Sequence, residues 1–388
     1  MSRILFFMPD NPLNTNSGNK SRAKSFLTYF KERGCEVDFF SEVHWGEWTN
    51  ENLEEFKKSQ LATNVYLLDR KSSKRNFIKY NFIKLKQMLI NKLHDIDTRD
   101  IPNHATNYLL KQFYKIIKNK QYDYVVINYV SWARMVIDKS YFKGAKTIID
   151  THDFITSQRQ NGNKKHIGDT FAEELKRLNL FDEIWAISTE EHYLFGQFFP
   201  ERVKWMPMMA ASKACDHAAI YKYDIIYVAS DNPHNISSVR WFMEKVYPLL
   251  SANLKIVVIG KIGNFIEDKS NIEKVLFVED LDNYYKQSRI AICPMLSGTG
   301  LKIKIVEAMS YGIPVVCNER GLDGIPNKID NGCMVSNDPE IFAHNIHLLL
   351  ADENKYNEYR TKSLAIFNAA FDQKIVYKKL DELFKINR

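Results

Sequence analysis

Ser297-Gly298-Thr299-Gly300-Leu301-Lys302-Ile303-Lys304-Ile305-Val306-Glu307-Ala308-Met309-Ser310-Tyr311-Gly312-Ile313-Pro314 joins a glycine-rich turn directly to an amphipathic helix. The helix is expected to carry Lys302, Lys304 and Glu307 and to stop at Gly312-Ile313-Pro314. Small residues at 297–300 let backbone N–H groups approach an anion. The helix N-terminus adds a partial positive charge there, and the lysines add full ones. Glu307 is expected about two turns in, where a carboxylate can accept hydrogen bonds from a sugar diol. The apolar run Ile290–Met295 precedes the turn and reads as a strand. The turn thus lies at a strand's carboxyl end, where open α/β sheets bind ligands. These parts suit the diphosphate of a nucleotide sugar.

Outward from this stretch, short β-branched or aromatic runs alternate with helical patterns. The first half predicts strands at Ile4–Pro9, Val37–Ser41, Val65–Asp69, Tyr124–Tyr129, Thr147–Asp150 and Glu183–Ser188. The second half predicts them at Asp224–Ala229, Lys255–Gly260, Val275–Val278, Ile290–Pro294, Pro314–Asn318 and Met334–Ser336. Runs apolar on both faces, separated by helices, argue for parallel sheets covered on both sides. In the first helical segment Ala23, Phe26, Leu27 and Phe30 form a stripe, Lys31 and Arg33 fall in the last turn, and Gly34 is the expected C′ residue. Around Met206–Tyr223 periodicity lapses into small residues, and the interdomain linker is placed there.

The chain has 388 residues, enough for two domains of ordinary size, and nearly half are apolar. No run of ~18 apolar residues marks a membrane span. The apolar start Met1–Pro9 is too short for a signal peptide and no small-residue cleavage site follows, so it reads as a first strand. The five cysteines have no C-x-x-C spacing, which predicts reduced thiols in a cytosolic protein and no zinc site. A net charge of +7 permits nucleotides or anionic lipids as partners and does not demand nucleic acid.

Lys304-Ile305-Val306-Glu307-Ala308-Met309 followed by Gly312-Ile313-Pro314-Val315-Val316 resembles the retaining glycosyltransferases of the GT-B fold, in the large family 4 group (glycosyl transferases group 1). Weaker echoes run through nearly the whole chain in the right order. The resemblance implies that Glu307 hydrogen-bonds the donor ribose and that Lys302 and Lys304 neutralise the diphosphate. It also implies that Gly298, Thr299, Gly300 and Leu301 line the phosphates and donor sugar. Many members carry two glutamates eight residues apart, the first contacting the donor sugar. Here that first position is Thr299, so sugar recognition must rest more on backbone and hydroxyl groups.

The loop Pro9–Lys20 is polar, opens a helix, and has Asp10 as its only acid. The resemblance makes Gly18 and Asn19 donor-side candidates; a solvent loop with a helix cap is the structural alternative. Asp150-Thr151-His152-Asp153 ends a strand, where a neutral imidazole can accept from a sugar hydroxyl or orient the reacting centre. His152 joins Lys304 and Glu307 as the expected catalytic set, though not as a general base. Ser230–Asn235 resembles the family's loop before a helix, with Asn235 shaping the site; an Asn-capped turn explains it as well. Ile187–Glu190 reads first as a helix cap, and Asp323-Gly324 as either a nucleotide border or a turn.

Two D-x-D triplets, Asp95-Ile96-Asp97 and Asp280-Leu281-Asp282, sit away from the other donor features. No metal is expected, because the lysines and the helix start supply positive charge. Arg70–Lys92 contains eight basic residues and no acid, with Ile78, Phe82, Leu85, Leu89 and Leu93 on one stripe. A membrane-surface helix across 70–93, bound to anionic lipid, and a core-packed helix with a solvated lysine face are both consistent with it.

The expected architecture is α/β: GT-B, two Rossmann-like doubly wound parallel-sheet domains facing across a cleft. Residues 1–208 form the acceptor-side domain, to which the crossover helix 371–388 returns, and 215–370 bind the nucleotide sugar. The expected activity is glycosyl transfer from a nucleotide-diphosphate sugar to a sugar or lipid-linked acceptor, with retention, in cell-surface glycan synthesis. Domain closure would limit hydrolysis. The location expected is cytoplasmic, at the inner face of a membrane. A nucleotide-sugar epimerase of the same fold, or a non-catalytic nucleotide or sugar binder, are the alternatives. An NAD-type oxidoreductase fits poorly, since no G-x-G-x-x-G follows the first strand.

Overall fold

A computed structural model describes residues 2–14, 17–71, 101–159, 167–214, 221–278 and 280–386, with 81, 82, 85, 86, 88 and 89. It divides into two compact units. The first comprises Met1–Ile187, Glu191–Met206 and Glu382–Arg388; the second comprises Ser188–Glu190 and Pro207–Asp381.

The first unit holds a seven-stranded sheet of order β3-β2-β1-β4-β5-β6-β7. Its strands are β1 (Arg3–Phe7), β2 (Glu36–Glu42), β3 (Asn64–Leu68), β4 (Tyr124–Asn128), β5 (Lys146–Asp150), β6 (Glu183–Ala186) and β7 (Val203–Trp205). The second holds a six-stranded sheet of order β10-β9-β8-β11-β12-β13. These are β8 (Tyr223–Val228), β9 (Ile256–Ile259), β10 (Ile272–Val275), β11 (Ser288–Cys293), β12 (Val315–Cys317) and β13 (Cys333–Val335). Every pairing between these strands is parallel. Both units therefore share the doubly wound order 3-2-1-4-5-6, the first with β7 added at one edge. Each has its switch point between the first and fourth strands, where such sheets bind ligands.

The parallel arrangement follows from the sequence. β4 is buried along its whole length and β1 along all but its first residue, so helices must cover both faces. Helix Gly18–Glu32 lays Ala23, Phe26, Leu27 and Phe30 into the core, as its stripe predicts. Gly34, at φ 66°, turns the chain out of it: Cys35 N donates to Phe30 O and Gly34 N to Lys31 O, a Schellman closure. Helix Asn107–Ile117 starts where Thr106 Oγ1 accepts from Leu109 N, and buries Leu109, Leu110, Phe113 and Ile117. At the other end of the chain Phe384 packs edge-on to Phe30 and Tyr124, at ring separations of 5.1 and 4.6 Å.

Two strands depart from expectation. β10 is Ile272–Val275, not Val275–Val278; its edge position leaves Glu273 exposed, and that alternation hid it among polar residues. Phe277, inside the expected strand, is 78% exposed. β7 was not anticipated, because a three-residue edge strand has too little sequence to show a period. Cys35, Cys293, Cys317 and Cys333 form no disulfide among the described residues. Asp95-Ile96-Asp97, Ile78, Leu93 and most of the basic 70–93 segment lie outside the described residues.

Candidate functional site

In the second unit β11 ends at Cys293 and the chain turns through Ser297–Leu301 into helix Ile303–Ser310. Gly298 and Gly300 adopt φ 95° and 73°, left-handed values that a side chain at either position would strain. The helix starts one residue later than expected. Lys302 is its N-cap, with φ −85° and ψ 91°, so its side chain does not ride on the helix. Instead Lys302 is buried, and its Nζ donates to Thr299 O at 3.0 Å and Gly300 O at 2.8 Å. It staples its own loop shut. Leu301 is also buried. The helix ends by a second Schellman closure at Gly312 (φ 72°), with Ile313 N bonded to Ala308 O and Gly312 N to Met309 O.

Lys304 points from the first turn towards β8. Its Nζ donates to Asn235 Oδ1 at 2.9 Å and lies 5.5 Å from the Tyr227 ring centre. Asn235 is oriented for this: its Nδ2 donates to Ser230 O (3.0 Å), so its oxygen faces the lysine. The local cause is Asn232, whose side chain caps helix Pro233–Trp241 by accepting from Asn235 N. Glu307, one turn further, accepts from the Tyr285 hydroxyl at 3.5 Å. Burial pulls the Lys304 ammonium pKa down, against Cys293 and Glu307, and pushes the Glu307 carboxyl up, against Lys213, Tyr285 and Lys304. Both charges are thus held by neutral hydrogen-bond partners.

Two further features mark this loop. The Thr299 hydroxyl is buried with no hydrogen-bond partner among the described residues. Such a group costs about 1–3 kcal/mol until something meets it. His234, which sequence reasoning passed over, packs its ring beside Gly298 and sets Nδ1 2.8 Å from Ser297 Oγ. Tyr285 was missed too; it stacks on Tyr311 (4.7 Å, 17°) under Glu307. Tyr311 and Lys213 both bond Asp282, the second acid of one D-x-D triplet, and hold its carboxyl down to about 2.

In the first unit the ends of β1, β4 and β5 form a separate cluster. Arg22 and Asp150 make a buried bidentate ion pair, Nε–Oδ2 2.7 Å and Nη2–Oδ1 2.9 Å. His152 is buried, with Nε2 2.7 Å from Asn128 Oδ1 and its ring stacked on Tyr129 at 4.3 Å and 20°. His152 and Tyr129 have φ 61° and 70°, a left-handed conformation that costs roughly 1–2 kcal/mol for each such residue. Burial drives the imidazole pKa down to about 4, against Asp150 and with the help of Arg22. Gly18 is the first residue of its helix, and Asn19 follows. Asn19 Nδ2 donates to Asp10 Oδ2 at 3.0 Å, and Asn19 also hydrogen-bonds Tyr129. Gly18, Asn19 and His152 are therefore brought into one neighbourhood, as are Asn235 and Gly298–Glu307 in the other unit. Asn128 and Tyr129 were legible as a strand end, but nothing in the sequence announces Tyr129's backbone conformation.

A protein in the cps region of Klebsiella pneumoniae, uncharacterized and of 44.6 kDa, is 22% identical to this chain, with both fully covered. Among solved structures the chain is similar to sucrose-phosphate synthase from Thermosynechococcus elongatus (TM-score 0.67, 12% identity, 99% of this chain and 98% of that one). It is similar to S. aureus TarM in complex with Fondaparinux, alpha-GlcNAc-glycerol and UDP (TM-score 0.66, 12% identity, 99% and 100%). It is also similar to Anabaena HepE in complex with UDP-glucose (TM-score 0.63, 12% identity, 99% and 100%). These likenesses show the fold: two parallel-sheet α/β units of the GT-B glycosyltransferase type. Residues 222–352, within the second unit, match the family described as Glycosyl transferases group 1.

Proposed function

We propose that the protein transfers a glycosyl group from a nucleotide-diphosphate sugar to a sugar or lipid-linked acceptor, with retention and without a metal, in cell-surface glycan synthesis. The observation that carries this is the loop-helix unit Gly298–Glu307. There a half-buried ammonium and a half-buried carboxylate take their hydrogen bonds from neutral groups, beside an orphaned hydroxyl. A diphosphate near Lys304 would restore the ammonium's charge, and a ribose diol would give Glu307 donors it lacks. Lys304, the loop amides and the helix start would stabilise the leaving diphosphate. The HepE complex contains UDP-glucose and the TarM complex UDP, which makes uridine donors the first to try. The relative from a cps region supports a role in surface glycans. Retention rests on the resemblance of the Lys304–Val316 motif.

We read the location as the cytoplasmic face of a membrane. Phe82, Leu85, Met88 and Leu89 are 57–69% exposed on helical residues within the basic segment, which supports contact with anionic lipid. Flotation with anionic but not with zwitterionic vesicles is the expected outcome; flotation with neither would remove this part.

The activity is tested by incubating the full chain with nucleotide sugars, with and without a panel of glycan and lipid-linked acceptors in excess chelator. Nucleoside diphosphate released together with a glycosylated acceptor supports transfer. Donor consumed equally without any acceptor would point to an epimerase, and binding without turnover to a non-catalytic binder.

A further inference from the structure

The polar groups around His152 fix which ring nitrogen carries the proton. Asn128, the last residue of β4, donates from Nδ2 to Phe7 O at 2.7 Å. A carbonyl oxygen can only accept, so that atom is the amide nitrogen, and the other, Oδ1, faces His152 Nε2 at 2.7 Å. Oδ1 in turn can only accept, so Nε2 must donate. Asp150 Oδ2, 3.5 Å from Nε2, is a second acceptor on that side. Its charge is already met by Arg22. In a neutral ring with Nε2 protonated, Nδ1 carries the lone pair. Nδ1 hydrogen-bonds no described residue, and it is not among the sealed polar atoms without a partner, so on an otherwise buried ring this atom keeps a small accessible face.

Tyr129 supplies the other constraint. Its ring lies flat against the imidazole, and its N–H donates to Asp150 O at 2.9 Å, which pins the left-handed backbone at the end of β4. Asn19 holds its hydroxyl side. The ring is therefore fixed in plane by Tyr129 and in rotation by Asn128.

We propose that Asn128 and Tyr129 are positioning residues that lock His152 in the Nε2–H tautomer, presenting Nδ1 as a fixed hydrogen-bond acceptor for a sugar hydroxyl. This rests on the glycosyl-transfer reading for the identity of the hydroxyl, but the lock itself is a property of the unliganded protein. An acceptor that cannot protonate near neutrality binds a hydroxyl without taking its proton. That suits orienting a substrate rather than general-base chemistry. The charged and titratable groups facing the ring or its Tyr129 partner are Asp150 on β5, Arg22 on the first helix, and Asp10 and Asp153 in the loops after β1 and β5.

The test is nitrogen NMR of the full chain with 15N-labelled histidine, the His152 signals being those lost in His152→Gln. The expected result is a protonated-type Nε2 and an unprotonated-type Nδ1, unchanged from about pH 6 to about pH 8. A protonated Nδ1, or titration within that range, would overturn the lock whatever the protein's activity. In Asn128→Asp a carboxylate faces Nε2, and the ring pKa should rise by about one unit or more; no rise would mean that residue 128 does not face the ring. Tyr129→Gly suits the left-handed backbone but removes the stack. It should lower kcat for transfer by about tenfold or more with donor KM within about twofold, while Tyr129→Phe stays near wild type. Unchanged kcat in Tyr129→Gly would also refute the proposal. If the NMR result holds and the wild type transfers no sugar, the function reading fails and the lock stands.

Discussion

The strand ends of the first unit and the β11 loop of the second treat charge in opposite ways. In the first, Arg22 and Asp150 neutralise each other at two hydrogen bonds, and His152 beside them is held uncharged. In the second, Lys304 and Glu307 hydrogen-bond only an amide and a tyrosine hydroxyl, and their charges, with Lys213, offset one another without a direct ion pair. A charge removed from water with only neutral hydrogen-bond partners is costly to hold, and an ionic ligand would lower that cost. The contrast favours an ionic ligand in the second unit and a neutral one in the first, as the proposed function requires: a diphosphate and a diol in one, sugar hydroxyls in the other.

The sharpest way to break this comparison is Glu307→Ala. Losing a charge-assisted pair of hydrogen bonds to ribose should weaken nucleotide binding by about a hundredfold and nearly abolish transfer, while an assay of unliganded stability shows little loss. Turnover like that of the wild type would remove Glu307 from the site. Thr299→Val sharpens it with effects of opposite sign. Deleting an orphaned hydroxyl should stabilise the unliganded protein, by about 1–3 kcal/mol in the extreme, and so raise Tm by a few degrees. If the hydroxyl meets the donor, the same change should lower kcat/KM about tenfold. A lowered Tm would mean that the hydroxyl is already satisfied.

A third change probes the uncharged character of the first unit at Glu191. Burial, with Asp153 and Glu174 nearby, pushes its carboxyl up to about 8. The folded state then keeps a proton that the unfolded chain, with its ordinary value of 4.5, gives up earlier. Stability from this group is full below the unfolded value and falls as pH rises through about 8. Glu191→Gln should flatten that fall, giving a Tm advantage that appears near pH 8 and is absent near pH 5. Parallel Tm-against-pH curves would show that Glu191 is ionised in the fold.

Much of this was legible in the sequence, for identifiable reasons. Strands buried on both faces, such as β4 and β8, are continuous apolar runs that only a covered parallel sheet accommodates. Gly34 and Gly312 follow helical stripes, so both Schellman closures could be read. The edge strands could not: β7 is too short and β10 alternates with polar residues. In the candidate site, Lys304 and Glu307 could be named from their spacing on one helix, whereas Asn235 was named from the family resemblance of its loop, and one capped turn brings it to Lys304. Arg22 with Asp150, 128 residues apart, and Tyr129 against His152 depend on strand order and on a backbone conformation that no local pattern encodes. Lys302 shows the remaining limit. Its identity suggested a phosphate ligand, whereas the extended cap conformation turns its ammonium onto the carbonyls of its own loop.

The most direct measurement is thermal unfolding of the full chain titrated with nucleoside diphosphates and the corresponding sugars, since a ligand of the folded state raises Tm with its concentration. The account predicts that at least one nucleoside diphosphate raises Tm well above the effect of its monophosphate, and that Glu307→Ala abolishes the shift. No shift with any nucleoside diphosphate at millimolar concentration, or an undiminished shift in Glu307→Ala, would contradict it.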